Sequence, residues 1–139
     1  MKKILFVIIM AFNISVSAQT ERDTIHLEIE PFYDIPEDID GCVCYFSSSI
    51  DNCRSGIYLF ANDFAIYGCI KINGFTQLLD LVSSNIEDRT FIYSKSDTLV
   101  EIRIIDDITE RDGTYYEVEI KVKNQFGSSN RILWGRCDC

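Results

Sequence analysis

The sequence predicts an all-β fold, a small antiparallel barrel or sandwich of about eight short strands stapled by disulfides. Three observations predict it. Apolar residues recur with a period of two. Turn dipeptides separate the runs, as in an antiparallel meander. Six cysteines stand in a chain of 139 residues, an even number that suits a disulfide framework in an exported protein. The chain is 47% apolar and its formal charge is -9. Domains of ~100–200 residues are the rule, so one folded unit is expected. The apolar share excludes a disordered tail, and the acidity argues against nucleic-acid binding, which needs a basic stripe.

Residues 1–18 read as a secretion signal. Lys2 and Lys3 form a positive start, residues 4–12 an apolar core, and Val16-Ser17-Ala18 a small-residue cleavage site before Gln19. A membrane span needs ~20 apolar residues, more than this run supplies. A lipoprotein would carry cysteine where Gln19 stands, and the first cysteine is Cys42. No later segment is long and apolar enough to span a bilayer, so a soluble monomer in the periplasm or medium is expected. Removing residues 1–18 takes away Lys2 and Lys3, leaving 11 basic side chains of the 13 against 22 acidic ones.

Residues 19–40 form an acidic strand and loop. Glu21, Asp23, Glu28, Glu30, Asp34, Glu37, Asp38 and Asp40 face only Arg22 in charge. Such a run is a solvated surface or a face for a basic partner or divalent cations. Within it Ile25, Leu27 and Ile29 alternate with His26, Glu28 and Glu30, as in a half-buried strand. Pro31 and Pro36 exclude regular pairing in the loop that follows.

Residues 41–139 form the β domain, one unit with residues 24–40. Asn62-Asp63 separates residues 56–61 from 64–70. Asn73-Gly74 joins residues 65–72 to 75–82 as a two-residue hairpin turn, because both residues accept positive φ. Residues 83–89 are the one stretch that reads as a short helical turn. Val100, Ile102 and Ile104 alternate with Glu101 and Arg103, and Asp112-Gly113 turns the chain into residues 114–123. There Tyr116, Val118, Ile120 and Val122 alternate with Glu117, Glu119, Lys121 and Lys123, which marks the wet face. Gly127-Ser128-Ser129-Asn130 reads as the last turn, before a strand over residues 131–135.

The cysteines carry the chemistry. Six allow many connectivities, and sequence alone does not choose among them. Cys42-Val43-Cys44 and Cys137-Asp138-Cys139 are both C-x-C. On neighbouring antiparallel strands Cys42 can face Cys139 while Cys44 faces Cys137, since paired Cα atoms lie ~4.5 Å apart, within disulfide range. Cys53 and Cys69 then remain, and a bond between them would staple the hairpin they flank. The alternative is a thiolate metal site or redox centre built from Cys42, Cys44, Cys137 and Cys139. Structural zinc more often uses C-x₂₋₄-C, and redox pairs use C-x-x-C at a helix start.

Cys42-Val43-Cys44-Tyr45-Phe46, Gly56-Ile57-Tyr58-Leu59-Phe60, Asn62-Asp63-Phe64, Lys71-Ile72-Asn73-Gly74 and the terminal Gly135-Arg136-Cys137-Asp138-Cys139 resemble a group of small bacterial exported proteins. In that group C-x-C-[aromatic] and a terminal G-x-C-x-C bracket a β-rich domain. The resemblance covers about residues 41–75 and 131–139; residues 78–118 lie outside it, and Cys53 and Cys69 are not part of its pattern. It implies an exported β domain and supplies no activity, cofactor or catalytic residue.

No catalytic constellation emerges. His26 is the only histidine, on the polar side of an expected strand, and nucleophilic catalysis needs a base within reach. There is no nucleophile elbow, phosphate loop or dinucleotide fingerprint. Asp106, Asp107, Glu110, Asp112 and Gly113 suggest calcium, but their order breaks the EF-hand pattern. Tyr45, Phe46, Tyr58, Phe60, Phe64, Tyr67 and Phe75 are core residues or, where they emerge together, a partner patch. Asp23-Thr24-Ile25 and Asp97-Thr98-Leu99 fit a short O-glycosylation pattern. The expectation is a non-enzymatic envelope or extracellular binding module for a protein or surface ligand, without cofactor. A purely structural envelope component differs from it only in lacking a partner.

Overall fold

Every strand after the first pairs with its neighbour in sequence. In a computed structural model that describes residues 25–139, β1 (Ile29–Glu30) is followed by β2 (Val43–Ser47), a one-turn helix α1 (Ile50–Arg54), β3 (Phe60–Asn62), β4 (Tyr67–Ile72) and β5 (Phe75–Asn85). Then come β6 (Thr90–Lys95), β7 (Thr98–Glu110), β8 (Gly113–Asn124) and β9 (Gly127–Asp138). β2 to β9 form a continuous antiparallel meander, and β9 returns to pair with β2. The result is an eight-stranded up-and-down barrel with β1 as an extra strand. Of the two architectures expected, the barrel is the one formed. The expected secretion signal and its cleavage site lie outside the described residues.

Turn chemistry sets the ladder between β4 and β5. Asn73 and Gly74 take φ of 48° and 85°, the positive values a type I′ turn requires. Other boundaries shift. The β7–β8 turn is Arg111-Asp112, because Gly113 already pairs with Glu110. The last hairpin turns at Gln125-Phe126, so residues 127–130, expected as a turn, begin β9. The strands are also longer than expected, 13 residues in β7 and 12 in each of β8 and β9.

Residues 83–89 are the end of β5 and a turn, not a helix; the helix is α1. The Ser49 side chain accepts a hydrogen bond from the Asn52 amide and caps it. Of the alternating run that begins at Ile25, only Ile29 and Glu30 pair. β5 takes one edge of β4 along its length, and β3 shares the other with β1.

Two apolar clusters form because β2, β3 and β4 are buried on both faces. Inside the barrel lie Phe46, Phe60, Ile70, Leu79, Tyr93, Val100, Ile102, Val118, Ile120, Val122 and Leu133. The barrel centre is filled by side chains, as an eight-strand barrel allows. Outside, Tyr45, Ala61 and Cys69 point away from the axis and are covered by Phe32, Ile39 and Cys53. A bulge between Ile104 and Asp106 inverts the facing of β7, which delivers Ile108 beside Tyr115 to this outer cluster. The acidic segment thus has a structural task. Phe32 and Ile39 are buried while Asp34, Glu37, Asp38 and Asp40 stay in water.

Candidate functional site

The two C-x-C motifs meet at one end of the barrel. Cys44 and Cys137 are direct register partners of β2 and β9, with Cα atoms 3.9 Å apart, and are joined by a disulfide. Cys42 and Cys139 are joined as well, at 4.3 Å. The four sulfurs that a thiolate metal or redox site would use are therefore paired with one another. Among the described residues no three His, Cys, Asp or Glu side chains converge as a metal site.

The expected Cys53–Cys69 staple is not formed. Both are free and buried. The reason is lateral distance. The Cys53 thiol donates to the Tyr45 carbonyl on β2 at 3.8 Å, whereas Cys69 on β4 is separated from β2 by β3. Adjacent strands lie ~4.8 Å apart, so two steps exceed the disulfide range. Burial pushes the Cys69 thiol up to about 11, and burial also raises Cys53. Neither is a reactive thiolate in this state.

Beside the Cys end lies a polar network that the sequence reading missed. Arg54 of α1 holds Asp112 of the β7–β8 turn with two hydrogen bonds, 3.1 and 3.0 Å. The Tyr115 hydroxyl donates to the same carboxylate at 2.6 Å, and Arg136 donates to Asp112 at 3.4 Å and to the Tyr115 oxygen at 3.2 Å. Both guanidinium groups stand over the Tyr115 ring, 5.4 and 5.7 Å from its centre. Arg54 holds the Asp112 carboxyl well below its ordinary range. Tyr45, pushed up to about 12 by burial and by its hydrogen bond to Asp138, remains a protonated donor. Each charge is matched, so the network ties helix, hairpin and C-terminal strand together. No sequence signal marks it, because its members come from four separate segments.

The other candidate residues disperse. His26 is exposed. Asp106, Asp107 and Glu110 lie along β7 rather than around a loop, Asp107 pairs with Arg89 at 2.9 Å, and Asp112 is engaged as above. Thr98 is 1% exposed, so that glycosylation pattern is closed in the fold; Thr24 lies outside the described residues. Of the seven aromatic candidates, Tyr45, Phe46 and Phe60 are buried, Tyr58, Phe64 and Tyr67 are half-buried, and Phe75 stands out in solvent.

Of the clefts among the described residues, two are lined by exposed large apolar side chains. At the hairpin end, Ile25, Phe75 and Phe126 are exposed around a cleft of about 350 Å³. On the outer wall, Ile92, Leu99, Glu101, Lys121 and Lys123 line a cleft of about 410 Å³ that runs from β6 to Ser128 and Asn130 of β9. Leu99 is an exposed apolar residue at the foot of two lysines. Lys121 sits 3.9 Å from Glu101 and from Glu119. Lys123 makes no ion pair among the described residues. An apolar floor with a few polar side chains at its rim is the usual make-up of a binding cleft. This wall is the best candidate site, and it can hold a ligand but presents no nucleophile–base pair. Compared with known protein families, curated proteins and solved structures, the chain matches none.

Proposed function

We propose that the protein is an exported, disulfide-closed barrel that serves as a binding module and performs no reaction. One observation carries this reading: the outer-wall cleft, where Leu99 and Ile92 are left partly in water between Lys121, Lys123 and Glu101. The basic start and apolar run of residues 1–18 support export, and so does the oxidised state of both C-x-C pairs, since such bonds persist in oxidising compartments. The group that the C-x-C motifs resemble fits the same reading.

The test is site-specific photocrosslinking in the native envelope. A photoreactive residue at Leu99 is expected to capture a partner, and one at Ile86, which is 83% exposed in the β5–β6 turn, is not. Equal capture at both positions contradicts the reading, as does a turnover reaction abolished by Asp112→Asn.

A further inference from the structure

The cleft at the hairpin end is one mouth of the barrel. Strand alternation places it there. Ile70, Ile72 and Val122 point into the barrel core. Phe75 is the register partner of Ile72, and Gln77 that of Ile70. Asn124 stands two residues beyond Val122 on β8. All three side chains therefore face the barrel axis, at the end of its packed core. The β6–β7 turn brings Asp97 to the same rim, and the β8–β9 turn brings Phe126. Barrel mouths are a preferred place for ligands. The volume of about 350 Å³ lies at the small end of the ~300–1,000 Å³ that ligand clefts span.

Aromatic rings and amides make up this mouth. Phe75 is 75% exposed and Phe126 39%. The polar side chains beside them are Asn73, Gln77, Asn124, Gln125 and Asp97, and among the described residues no lysine or arginine joins them. An anion would find no countercharge. Asp97 is the one charge, and its carboxylate already accepts the Gln125 amide at 3.3 Å. Each amide side chain carries a donor and an acceptor side by side. That pairing matches a hydroxyl group, which also does both. Asn73 is only half used. Its oxygen accepts from the Glu28 backbone at 2.8 Å, while its nitrogen is buried and has no partner. A buried donor left unpaired is costly, and a ligand oxygen would remove that cost.

We propose that this mouth binds a neutral saccharide, with the C–H face of one sugar ring stacked on Phe75 and its hydroxyls held by Asn73, Gln77 and Asn124. The apolar face of the sugar then meets a ring, and its polar edge meets the amides. A folded protein surface cannot enter a cleft of this size. A quaternary ammonium would engage the rings and Asp97 but leave the amides idle. The mouth shares no lining residue with the outer-wall cleft, so the two sites are independent.

The test is an array of neutral, anionic and amino-bearing oligosaccharides, probed with the disulfide-intact protein. The strongest neutral hit is then titrated by amide NMR, with choline beside it. Binding is expected to be confined to neutral glycans and to move the Phe75, Gln77 and Asn124 signals. Phe75→Ala and Phe75→Leu are each expected to weaken it on the order of tenfold, because both remove the ring, whereas Phe75→Trp keeps it. Phe75 stands largely in solvent, so these variants are expected to melt as the parent does. The absence of any neutral hit overturns the proposal. So does a hit that moves the Leu99 and Lys121 signals instead of those of the mouth, or one that Phe75→Leu binds at full strength. A preference for anionic glycans overturns it as well, as does choline binding without glycan binding. Capture at Leu99 is expected to survive Phe75→Ala, so failure of the saccharide site and failure of the outer-wall reading are told apart.

Discussion

Asn62 shows how little slack the barrel interior has. Its amide nitrogen donates to the Tyr93 hydroxyl at 2.8 Å, and both residues are fully buried. Gly68 makes room for this pair, since a Cβ there would lie 2.9 Å from the Phe60 ring and 3.0 Å from the Tyr93 ring. Tyr93→Phe leaves the Asn62 donor unpaired and is expected to cost ~1–3 kcal/mol, read by denaturant unfolding. Asp112 makes a second residue-scale case, this time for pH. Its pKa is depressed in the fold because Arg54 and Tyr115 hydrogen-bond the carboxylate. The stabilisation is therefore present above the ordinary carboxylate range and lost as pH falls through it toward the folded value. Asp63 behaves alike: burial would raise its pKa, but the amides of Ile66, Ala65 and Tyr67 outweigh burial and lower it. Asp112→Asn is expected to lower the melting temperature at neutral pH and to flatten its decline in acid.

At the scale of elements, the barrel depends on how closely β9 approaches β2. Gly135 faces Phe46 across that seam, and a Cβ on it would meet the Tyr45 carbonyl oxygen and the Phe46 ring. Gly135→Ala is expected to destabilise by ~1–3 kcal/mol or more, because backbone cannot step aside as a flexible side chain can. Much of this level was legible beforehand. The alternation of Tyr116, Val118, Ile120 and Val122 marks the inner face of β8 because a barrel strand has one wet and one dry side. Asn73-Gly74 marks its hairpin because few other dipeptides accept two positive φ angles. α1 was not legible, since a single turn has no periodicity to read. The bulge at Ile105 was hidden for another reason: it changes facing without changing composition. The Cys53–Cys69 expectation failed because closeness in sequence says nothing about which strand lies between. The arginine network failed to show because its residues meet only after the hairpin folds over α1. The cleft was hidden for a similar reason, since Leu99 reads as one more apolar strand residue until its neighbours across β8 are known.

For the whole molecule, the decisive feature is closure of the chain ends upon each other. The two disulfides span 97 and 93 residues. Closing the first such loop is worth ~4–5 kcal/mol in the chain-entropy model, and the second adds much less because its loop is already closed. Replacing Cys44 and Cys137 by alanine should therefore cost far less than replacing all four, measured by unfolding under oxidising conditions. The native protein is also expected to be inert to thiol reagents at neutral pH, since Cys53 and Cys69 are buried and their thiols stay protonated. The closed wall is what holds Leu99, Lys121 and Lys123 in fixed relation, so the proposed binding cleft depends on closure. A peptide map of unreduced protein, purified from its native cells without reductant, tests that account most directly. It should link Cys42 to Cys139 and Cys44 to Cys137, with Cys53 and Cys69 alkylated only after denaturation. A Cys53–Cys69 link, or four free C-x-C thiols holding a metal, would contradict it.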